Sequence, residues 1–374
     1  MPPTPDPSQK PNNLAKTADW MDGFDPYSLT CPQLSDHVMA LGGKPVHARR
    51  WFRALHRTEE TDPGRVPDLG IALADRLRAV MRPARPTLAA RLDSPDGTVK
   101  LRVNLADGHA VETVLIPEGD RLTLCLSAQA GCAVGCGFCA TATLGLARNL
   151  TTGEIVGQWH LARGEAARPI TNVVFMGMGE PLHNWSAVRD AIAIFNDQAA
   201  WGLSRHRITV STSGVLPRMA LPIRESGVAL ALSLHHTRQE ERAALIPLSR
   251  RYPLPELISE LRRLALEEQA VIMVQYLLLG GQNDSLTHAD ELAGLLGDFP
   301  CHVNLLTYNT VPGLPYGSPE PQVVAAFRDR LRGVGIRVGL RESRGGDIAG
   351  ACGQLALRTV APAQISTSKT PNFV

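Results

Sequence analysis

Three cysteines, Cys132, Cys136 and Cys139, lie within eight residues of one another and directly follow a predicted strand at 122–127. Thiolates at these spacings on one short loop can bind three irons of a four-iron cluster, which leaves the fourth iron open to an exogenous ligand. Glycines at positions 131, 135 and 137 let the backbone wrap closely around such a group. The spacing therefore predicts an iron–sulfur site on a loop that leaves the first strand of an α/β domain.

A structural zinc ion is the alternative occupant of the same loop. Structural zinc usually takes four protein ligands, and His160 or His183 would have to supply the fourth. A disulfide framework is less consistent with the sequence, because the cysteine count of seven is odd and three of the seven are clustered. The other four are Cys31, Cys125, Cys301 and Cys352. We interpret Cys31 and Cys301 as buried, inert thiols.

From residue 122 onward the hydrophobic pattern alternates between strands and helices. The predicted strands are 122–127, 170–176, 207–211, 228–234, 271–278, 302–307 and 336–340. The helical patterns between them include 152–163, 187–198, 254–266, 286–296 and 321–334. Such alternation is typical of a parallel sheet covered by helices. We predict an α/β fold of the partial (β/α)6 barrel type.

The rest of the chain divides where composition and periodicity change. We predict a flexible tail at 1–27, a small helical unit at 28–92, a β-hairpin extension at 93–121, the barrel at 122–345, a glycine-rich segment with Cys352 at 346–358, and a second flexible tail at 359–374. The hairpin is indicated by alternating runs on either side of Asp107-Gly108.

Charge and hydropathy limit the partners of this chain. Of 38 basic residues only five are lysine, which leaves 33 arginines, and net charge is only +2. A GC-rich genome explains the arginine bias as well as RNA binding does, although basic residues are concentrated at 28–92. The sequence has no apolar run long enough for a membrane span and no signal-peptide pattern at its start, so we predict a cytoplasmic protein that does not bind membranes.

Polar motifs follow several predicted strands, at the edge where parallel α/β barrels carry their chemistry. They are residues 177–181, 211–214, 233–236 and Asn309. A turn, a helix cap or a structural histidine would explain each motif individually. Two further thiols lie near the same edge, because Cys125 is in the first strand and Cys352 is in a loop after the last. The shared position of these groups predicts one site.

These segments together resemble the RlmN/Cfr family of radical S-adenosylmethionine (SAM) RNA adenosine methyltransferases, as a divergent branch on the RlmN side. The resemblance runs from about Lys44 to Leu355. It is carried by residues 111–117, 123–129, 131–150, 177–181, 211–214, 233–235, 304–309 and 344–355. The cysteines at 125 and 352, the second in the run Cys-Gly-Gln-Leu, distinguish this family from other radical SAM enzymes.

The resemblance implies roles for individual residues. Cys132, Cys136 and Cys139 would bind a [4Fe-4S] cluster. The SAM contacts carried over by position are Gly179, Glu180, Ser211, Ser233, Leu234, His235 and Asn309. Two SAM molecules would be used per turnover, one to methylate Cys352 and one to form the radical that activates the S-methyl group. Cys125 would resolve the RNA adduct through a transient disulfide with Cys352, and Glu112 would act as proton acceptor, a task suited by a raised pKa.

The implied substrate is carbon 2 of an adenosine in 23S ribosomal RNA and, in some members, in tRNA. Carbon 8, the target of Cfr-type members, is one alternative, and a radical SAM enzyme acting on another RNA or on a peptide is a second. A metal-stabilised RNA-binding protein without catalytic activity is a third. The family also implies a flavodoxin-type electron donor, and we expect a monomer. Departures from the family pattern occur at 236–239, at Gly346-Asp347 and at Gln275.

Overall fold

The computed structural model of the protein describes residues 23–341 and 343–357. Residues 1–22 of the predicted N-terminal tail and the whole predicted C-terminal tail at 359–374 lie outside the described residues.

The described residues form twelve strands and ten α-helices. The strands are β1 (Thr87–Asp93), β2 (Val99–Asn104), β3 (Ala110–Glu118), β4 (Arg121–Cys125), β5 (Gln129–Gly131), β6 (Leu146–Asn149), β7 (Asn172–Phe175), β8 (Ile208–Thr212), β9 (Ala229–Ser233), β10 (Ile272–Leu278), β11 (His302–Thr307) and β12 (Val338–Arg341). The helices are α1 (Cys31–Ala40), α2 (Pro45–Arg53), α3 (Ile71–Val80), α4 (Thr152–Glu165), α5 (Trp185–Asn196), α6 (Leu221–Ser226), α7 (Gln239–Leu245), α8 (Leu254–Glu267), α9 (Leu286–Leu296) and α10 (Pro321–Gly333).

Ten of the strands form one mixed sheet in the order β1-β2-β3-β4-β7-β8-β9-β10-β11-β12. Strands β1 to β4 pair in antiparallel fashion, and β4 and β7 to β12 form a parallel series with helices in the crossovers. The parallel strands are apolar because both of their faces are covered. Leu230, Val274 and Leu305, for example, are fully buried. The prediction of a partial (β/α)6 barrel is confirmed.

The helical unit packs around Leu34, Trp51, Phe52 and Leu77, all fully buried. The predicted tail at 1–27 is wrong for its last residues. Phe24 exchanges backbone hydrogen bonds with the end of α3, and it is buried together with Tyr27. Two aromatic side chains that enter the core of the helical unit fix this segment, because burying them removes a large apolar area from water.

The predicted hairpin is part of a larger sheet. Strand β1 was not predicted, and the proposed boundary at residue 92 falls inside it. The alternation in β1 is weak because its sequence, Thr-Leu-Ala-Ala-Arg-Leu-Asp, mixes alanine and charged residues. Strand β3 pairs with β4, so the antiparallel strands continue the barrel sheet without a break. No helix in the described part of the chain is long and apolar enough to cross a membrane.

Candidate active site

A cavity of about 570 Å³ opens at the carboxyl ends of the parallel strands. Its wall includes five of the seven cysteines: Cys125, Cys132, Cys136, Cys139 and Cys352. The parallel series brings the end of β4, the loop after β5 and the segment after β12 to the same edge of the sheet. Residues separated by more than 200 positions in the chain thereby face one space.

The loop with three cysteines is fixed by its own backbone. Strands β5 and β6 pair at its base, and the Cys132 amide donates to the Gly145 carbonyl at 2.8 Å. The Gly137 amide donates to the Leu245 carbonyl at 2.9 Å, which ties the loop to the end of α7. Gly131 has a φ of +81°, and a Cβ there would lie 1.9 Å from the Gly145 oxygen. Only glycine therefore fits at the base of this loop.

The exit of the loop is fixed by charge. Thr151 and Glu154 form a capping box that begins α4, with Thr151 accepting from the Glu154 amide at 3.1 Å and Glu154 accepting from the Thr151 amide at 2.8 Å. Arg148 of β6 donates to both Glu154 carboxylate oxygens at 2.8 Å. Bidentate pairing of this kind has a defined geometry, so it sets the angle between β6 and α4.

The donor set fits an iron–sulfur cluster better than zinc. Within residues 23–341 and 343–357, no three His, Cys, Asp or Glu side chains converge as the ligands of a single metal ion would. Thiolates of a cluster bond to different irons and need no such convergence. Neither histidine considered for zinc lines the cavity, and His160 instead lies 3.4 Å from His56 in the helical unit. Burial raises the pKa of Cys132 to about 11, so a bound metal would have to stabilise the thiolate.

Glu180 is the buried carboxylate of the cavity wall. It accepts from the Ser213 amide at 2.7 Å and from the Leu182 amide at 3.1 Å. Burial raises its pKa, and a neighbouring cation would reverse that shift. Gly179 has a φ of +95°, and a Cβ there would lie 2.5 Å from Cβ of Gln129. The turn thus brings backbone and carboxylate together where a ligand ammonium group would fit.

The remaining predicted SAM contacts divide into two groups. Ser211, Ser233, His235 and Asn309 line the cavity, and the two serine hydroxyl oxygens are 3.4 Å apart. Leu234 is fully buried and is not part of the wall.

His235 has a left-handed backbone, with a φ of 58°. Its Nδ1 accepts from the Leu277 amide at 3.0 Å, which assigns the ring proton to Nε2. Burial lowers the pKa of His235 to about 3, so the ring is a neutral donor at physiological pH.

Arg242 of α7 is a site residue that sequence reasoning missed. Its guanidinium is fully buried and donates to the carbonyls of Ser213, Ser233 and Leu234 at 2.8 to 3.0 Å. A fourth bond reaches Ser249 Oγ at 2.8 Å. Burial lowers its pKa to about 10, which still leaves it cationic at neutral pH. The sequence does contain one indication that Arg242 is buried. It lies three and four residues before the apolar residues 245 and 246, a spacing that places it on the buried face of the helix.

The two remaining thiols, Cys125 and Cys352, both line the cavity. Cys125 is buried at the end of β4, and its pKa is raised by burial and next by the nearby Cys352 thiol. Cys352 is exposed and lines the cavity, and desolvation by the surrounding walls raises the pKa of its thiol. The loop with three cysteines contacts the Cys352 segment directly, because the Ala140 amide donates to the Gly353 carbonyl at 2.7 Å.

Glu112 lies behind the cavity wall and not on it. Its side chain is 2% exposed and pairs with Lys100 at 3.0 Å. Its other oxygen accepts from the Ala356 and Leu357 amides at 3.0 and 3.3 Å. The structure therefore brings the predicted cluster ligands, both further thiols and most SAM contacts together, and it leaves Glu112 and Leu234 outside the cavity.

The departures from the family pattern are compensated locally. Thr237 and Arg238 both bond to Glu291, the arginine through 2.7 to 3.1 Å contacts. Gln239 donates to the Ser249 carbonyl at 3.0 Å. None of these residues lines the cavity, whereas Gln275 does. Among the departures, all of them within the described part of the chain, Gln275 lies in the wall, whereas residues 236–239 and Gly346-Asp347 do not.

Comparisons with known proteins agree with this geometry. The family model described as "Radical SAM superfamily" matches residues 126–293. The chain is 43% identical over 343 residues to the dual-specificity RNA methyltransferase RlmN of Anaeromyxobacter dehalogenans (strain 2CP-C), covering 90% of this chain and 92% of that protein. It is 44% identical over 329 residues to RlmN of Halorhodospira halophila (strain DSM 244 / SL1), covering 87% and 92%. A crystal structure of a radical SAM methyltransferase from Sphaerobacter thermophilus superposes with a TM-score of 0.83 at 40% identity, covering 89% of this chain and 99% of that one.

We expect Arg242→Met to destabilise the protein by about 3 kcal/mol, because three buried carbonyls would each lose a hydrogen bond worth about 1 kcal/mol. Urea unfolding of the full chain measures this change. Arg250→Met is the matched control, since Arg250 is exposed on the following turn. If the free energies of unfolding of Arg242→Met and of the control differed by less than about 0.5 kcal/mol, the size of a neutral surface substitution, the buried guanidinium would not organise the strand ends.

Proposed function

Because the chain belongs to the RlmN/Cfr family of radical SAM RNA methyltransferases, we propose that it methylates carbon 2 of an adenosine in 23S ribosomal RNA and in tRNA. One observation carries the proposal: five cysteines, three of them on one loop, open onto a single cavity at the carboxyl ends of the parallel strands. Carbon 2 is the carbon that the RlmN side of the family modifies.

The first task of the site is to bind and orient SAM beside the cluster. Cys132, Cys136 and Cys139 would hold a [4Fe-4S] cluster, which supplies the electron that cleaves SAM to a deoxyadenosyl radical. Glu180 would accept from the SAM ammonium group, next to the backbone of Gly179. The donors of Ser211, Ser233, His235 and Asn309 would take the carboxylate and ribose of SAM, and Leu234 would contribute packing behind them.

The second task is carried by Cys352. Its thiolate would take a methyl group from one SAM molecule by displacement at carbon, and the radical from a second SAM would remove a hydrogen atom from that S-methyl group. The resulting methylene radical would add to the adenine carbon, and the adduct would give its unpaired electron back to the oxidised cluster that supplied the first one, so that a closed-shell adduct remains. This route solves a chemical problem, because the ring carbon is electron-poor and has no nucleophilic pair to attack SAM directly. The target base has to leave its stack to reach Cys352.

Cys125 and Glu112 would complete the reaction. Cys125 and Cys352 line the same cavity, so the Cys125 thiolate would attack the Cys352 sulfur, break its bond to the methylene carbon, which takes up a proton, and release RNA with formation of a disulfide. Glu112 would take a proton from the adduct. Its carboxylate is bonded to Lys100 and to two backbone amides, so this role belongs to a conformation in which the end of the Cys352 segment has moved away.

The helical unit offers a contact surface for RNA phosphates. A second hollow, of about 320 Å³, is lined by Arg49, Arg50, Arg53 and Arg57 together with residues 198 and 199. Arg50 pairs with Asp68 at 3.0 Å, and Arg57 donates to the Gln198 carbonyl at 2.8 Å. Arg49 and Arg53 make no hydrogen bond or ion pair with the part of the chain that the structure describes. Two exposed, unpaired guanidinium groups beside two anchored ones suit a phosphate backbone.

The remaining partners follow from the chemistry. Reductive cleavage of SAM needs a low-potential one-electron donor, which we propose is a flavodoxin-type protein. The enzyme would act as a monomer in the cytoplasm, where its RNA substrates are made.

We expect Cys352→Ala to abolish RNA methylation and Cys125→Ala to leave RNA covalently attached to the protein, because the adduct can form but cannot be released. Anaerobically reconstituted enzyme, RNA and reductant would be analysed by denaturing gels and by mass mapping of modified adenosines. Cys301→Ala is the control, since Cys301 is a half-buried thiol outside the cavity. The map also reports which carbon is methylated. If 8-methyladenosine is the sole product, carbon 8 and not carbon 2 is the target of the enzyme.

Two results would contradict the proposed function. One is full methylation by the Cys352→Ala variant, which would exclude the S-methylcysteine route. The other is a purified protein that holds one zinc ion and never converts SAM to deoxyadenosine, which would favour a metal-stabilised RNA-binding protein.

We expect Arg49→Glu/Arg53→Glu to weaken RNA binding and to reduce the slope of log affinity against log salt by about one to two. The reason is that binding with fewer phosphate contacts releases fewer counterions from the RNA. Fluorescence anisotropy at several salt concentrations measures the slope. Arg205→Glu/Arg330→Glu makes the same charge change outside the hollow. Equal slopes for the two double variants would show that the effect is one of net charge, and the proposed contact surface would be wrong.

A further inference from the structure

One face of β2 and of the turn before it carries a polar residue at every second position. These residues are Ser94, Asp96, Thr98, Lys100 and Arg102. Polar alternation in a hairpin usually marks a solvent-facing side. Here that side is covered by the Cys352 segment, residues 345–357, so that Ser94, Thr98 and Lys100 are all buried. The row therefore faces protein at Ser94, Thr98 and Lys100, whereas Asp96 remains exposed and the Thr98 hydroxyl has no hydrogen-bond partner among the described residues.

The first arm of the segment, before Cys352, is bonded to the start of the row. Ser94 Oγ donates to the Asp347 carboxylate at 2.7 Å, and the Gly345 amide donates to the Asp96 carboxylate at 2.8 Å. Gly345 has a φ of +66°, and a Cβ there would lie 2.7 Å from Cγ2 of Thr98. The arm thus lies flat on β2 at a distance that only glycine allows.

A buried ion pair connects the first arm to the second. Lys100 Nζ lies 3.0 Å from Glu112 Oε1, and both side chains are 2% exposed. The same ammonium donates to the Ala349 carbonyl at 3.1 Å, on the first arm. The other Glu112 oxygen accepts from the amides of Ala356 and Leu357, on the second arm. A buried pair of charges is retained where hydrogen bonds satisfy both partners, and these bonds all reach the Cys352 segment.

Backbone strain occurs where the ion pair contacts the segment. Ala349 has a φ of 51° and Leu357 a φ of 55°. Residues other than glycine rarely adopt this left-handed conformation and hold it only where the surroundings impose it. Lys100 bonds to the carbonyl of Ala349, and Glu112 to the amide of Leu357. The ion pair therefore holds the segment at its two strained residues, on either side of Cys352.

We propose that Lys100 is a positioning residue, and that the Lys100–Glu112 ion pair is a clasp that fixes both arms of the Cys352 segment and so sets the place of its sulfur in the cavity. The proposal rests on the proposed function of Cys352. It adds a consequence for Glu112: the carboxylate can accept a proton from RNA only after Ala356 and Leu357 have left it. The position of the segment and the availability of the carboxylate are thereby linked.

The test uses the double variant Lys100→Met/Glu112→Gln in the reconstituted full-length enzyme, which removes both charges together and leaves no uncompensated ion. Hydrogen exchange by mass spectrometry follows residues 345–357, and anaerobic alkylation follows Cys352. We expect both rates to rise about tenfold, the factor for losing one hydrogen bond of typical net strength. For turnover, Lys100→Met alone is used, because Glu112 is itself the proposed proton acceptor. With RNA present, deoxyadenosine formation by this single variant should continue while methylated RNA per deoxyadenosine falls, because a misplaced sulfur uncouples the two.

Arg91→Met is the matched control, since Arg91 lies on the neighbouring strand β1 and pairs with Asp93 of that strand and with Glu165 at the end of α4, away from the segment. If exchange and alkylation in the double variant equalled those of Arg91→Met, the clasp would be overturned. Should the double variant not fold, Ser94→Ala removes one contact of the first arm and should raise exchange near Asp347 alone. The clasp and the proposed function can fail separately. If the wild-type enzyme methylates no RNA but hydrogen exchange is faster in the double variant, the clasp is supported and the proposed function is contradicted.

Discussion

Seven parallel strands have their carboxyl ends at one edge of the sheet, and the whole candidate site depends on that alignment. Cys125 ends the first of these strands, Glu180 follows the second, Ser211 lies near the end of the third, and Cys352 follows the last. A register shift of one residue in any strand would turn its motif away from the cavity. The helices on the barrel and the apolar strand interiors matter for function chiefly because they hold this alignment.

The site also contains several buried ionisable side chains, and each is stabilised by contacts that build the site. Arg242 is bonded to carbonyls at the ends of β8 and β9. Glu180 is bonded to the amides of Ser213 and Leu182. Lys100 and Glu112 are bonded to the segment that carries Cys352. Buried polar groups are costly unless satisfied, so the same hydrogen bonds that stabilise these charges also fix the loops around the cavity.

The sequence was most informative about features that a single strand, helix or loop determines by itself. The strand–helix alternation predicted every parallel strand to within two residues, because buried strands and amphipathic helices have distinct periods. The cysteine spacing predicted which thiols share a loop. Strand β1 was missed because its apolar alternation is weak, and the tail prediction failed at Phe24 and Tyr27 because composition does not show which aromatic residue finds a core.

Contacts between distant segments could not be predicted in the same way. Arg242 is one of many arginines, and the row from Ser94 to Arg102 has the pattern of an ordinary solvent-facing strand. These residues belong to the site because of the segments that lie across them, and the packing of the whole chain decides which segments those are. The roles assigned to Glu112 and to the SAM contacts remain predictions for the same reason, since they concern groups that arrive from outside.

The proposed function requires that Cys352 carries the methyl group before RNA receives it. The most direct measurement is tandem mass spectrometry of the Cys352 peptide from protein made in cells supplied with methionine bearing a deuterated methyl group. We expect a deuterated methyl on the Cys352 sulfur, and its transfer to RNA, with one deuterium lost, when RNA, unlabelled SAM and reductant are added. A Cys352 that is never methylated in a protein that still methylates RNA would contradict it.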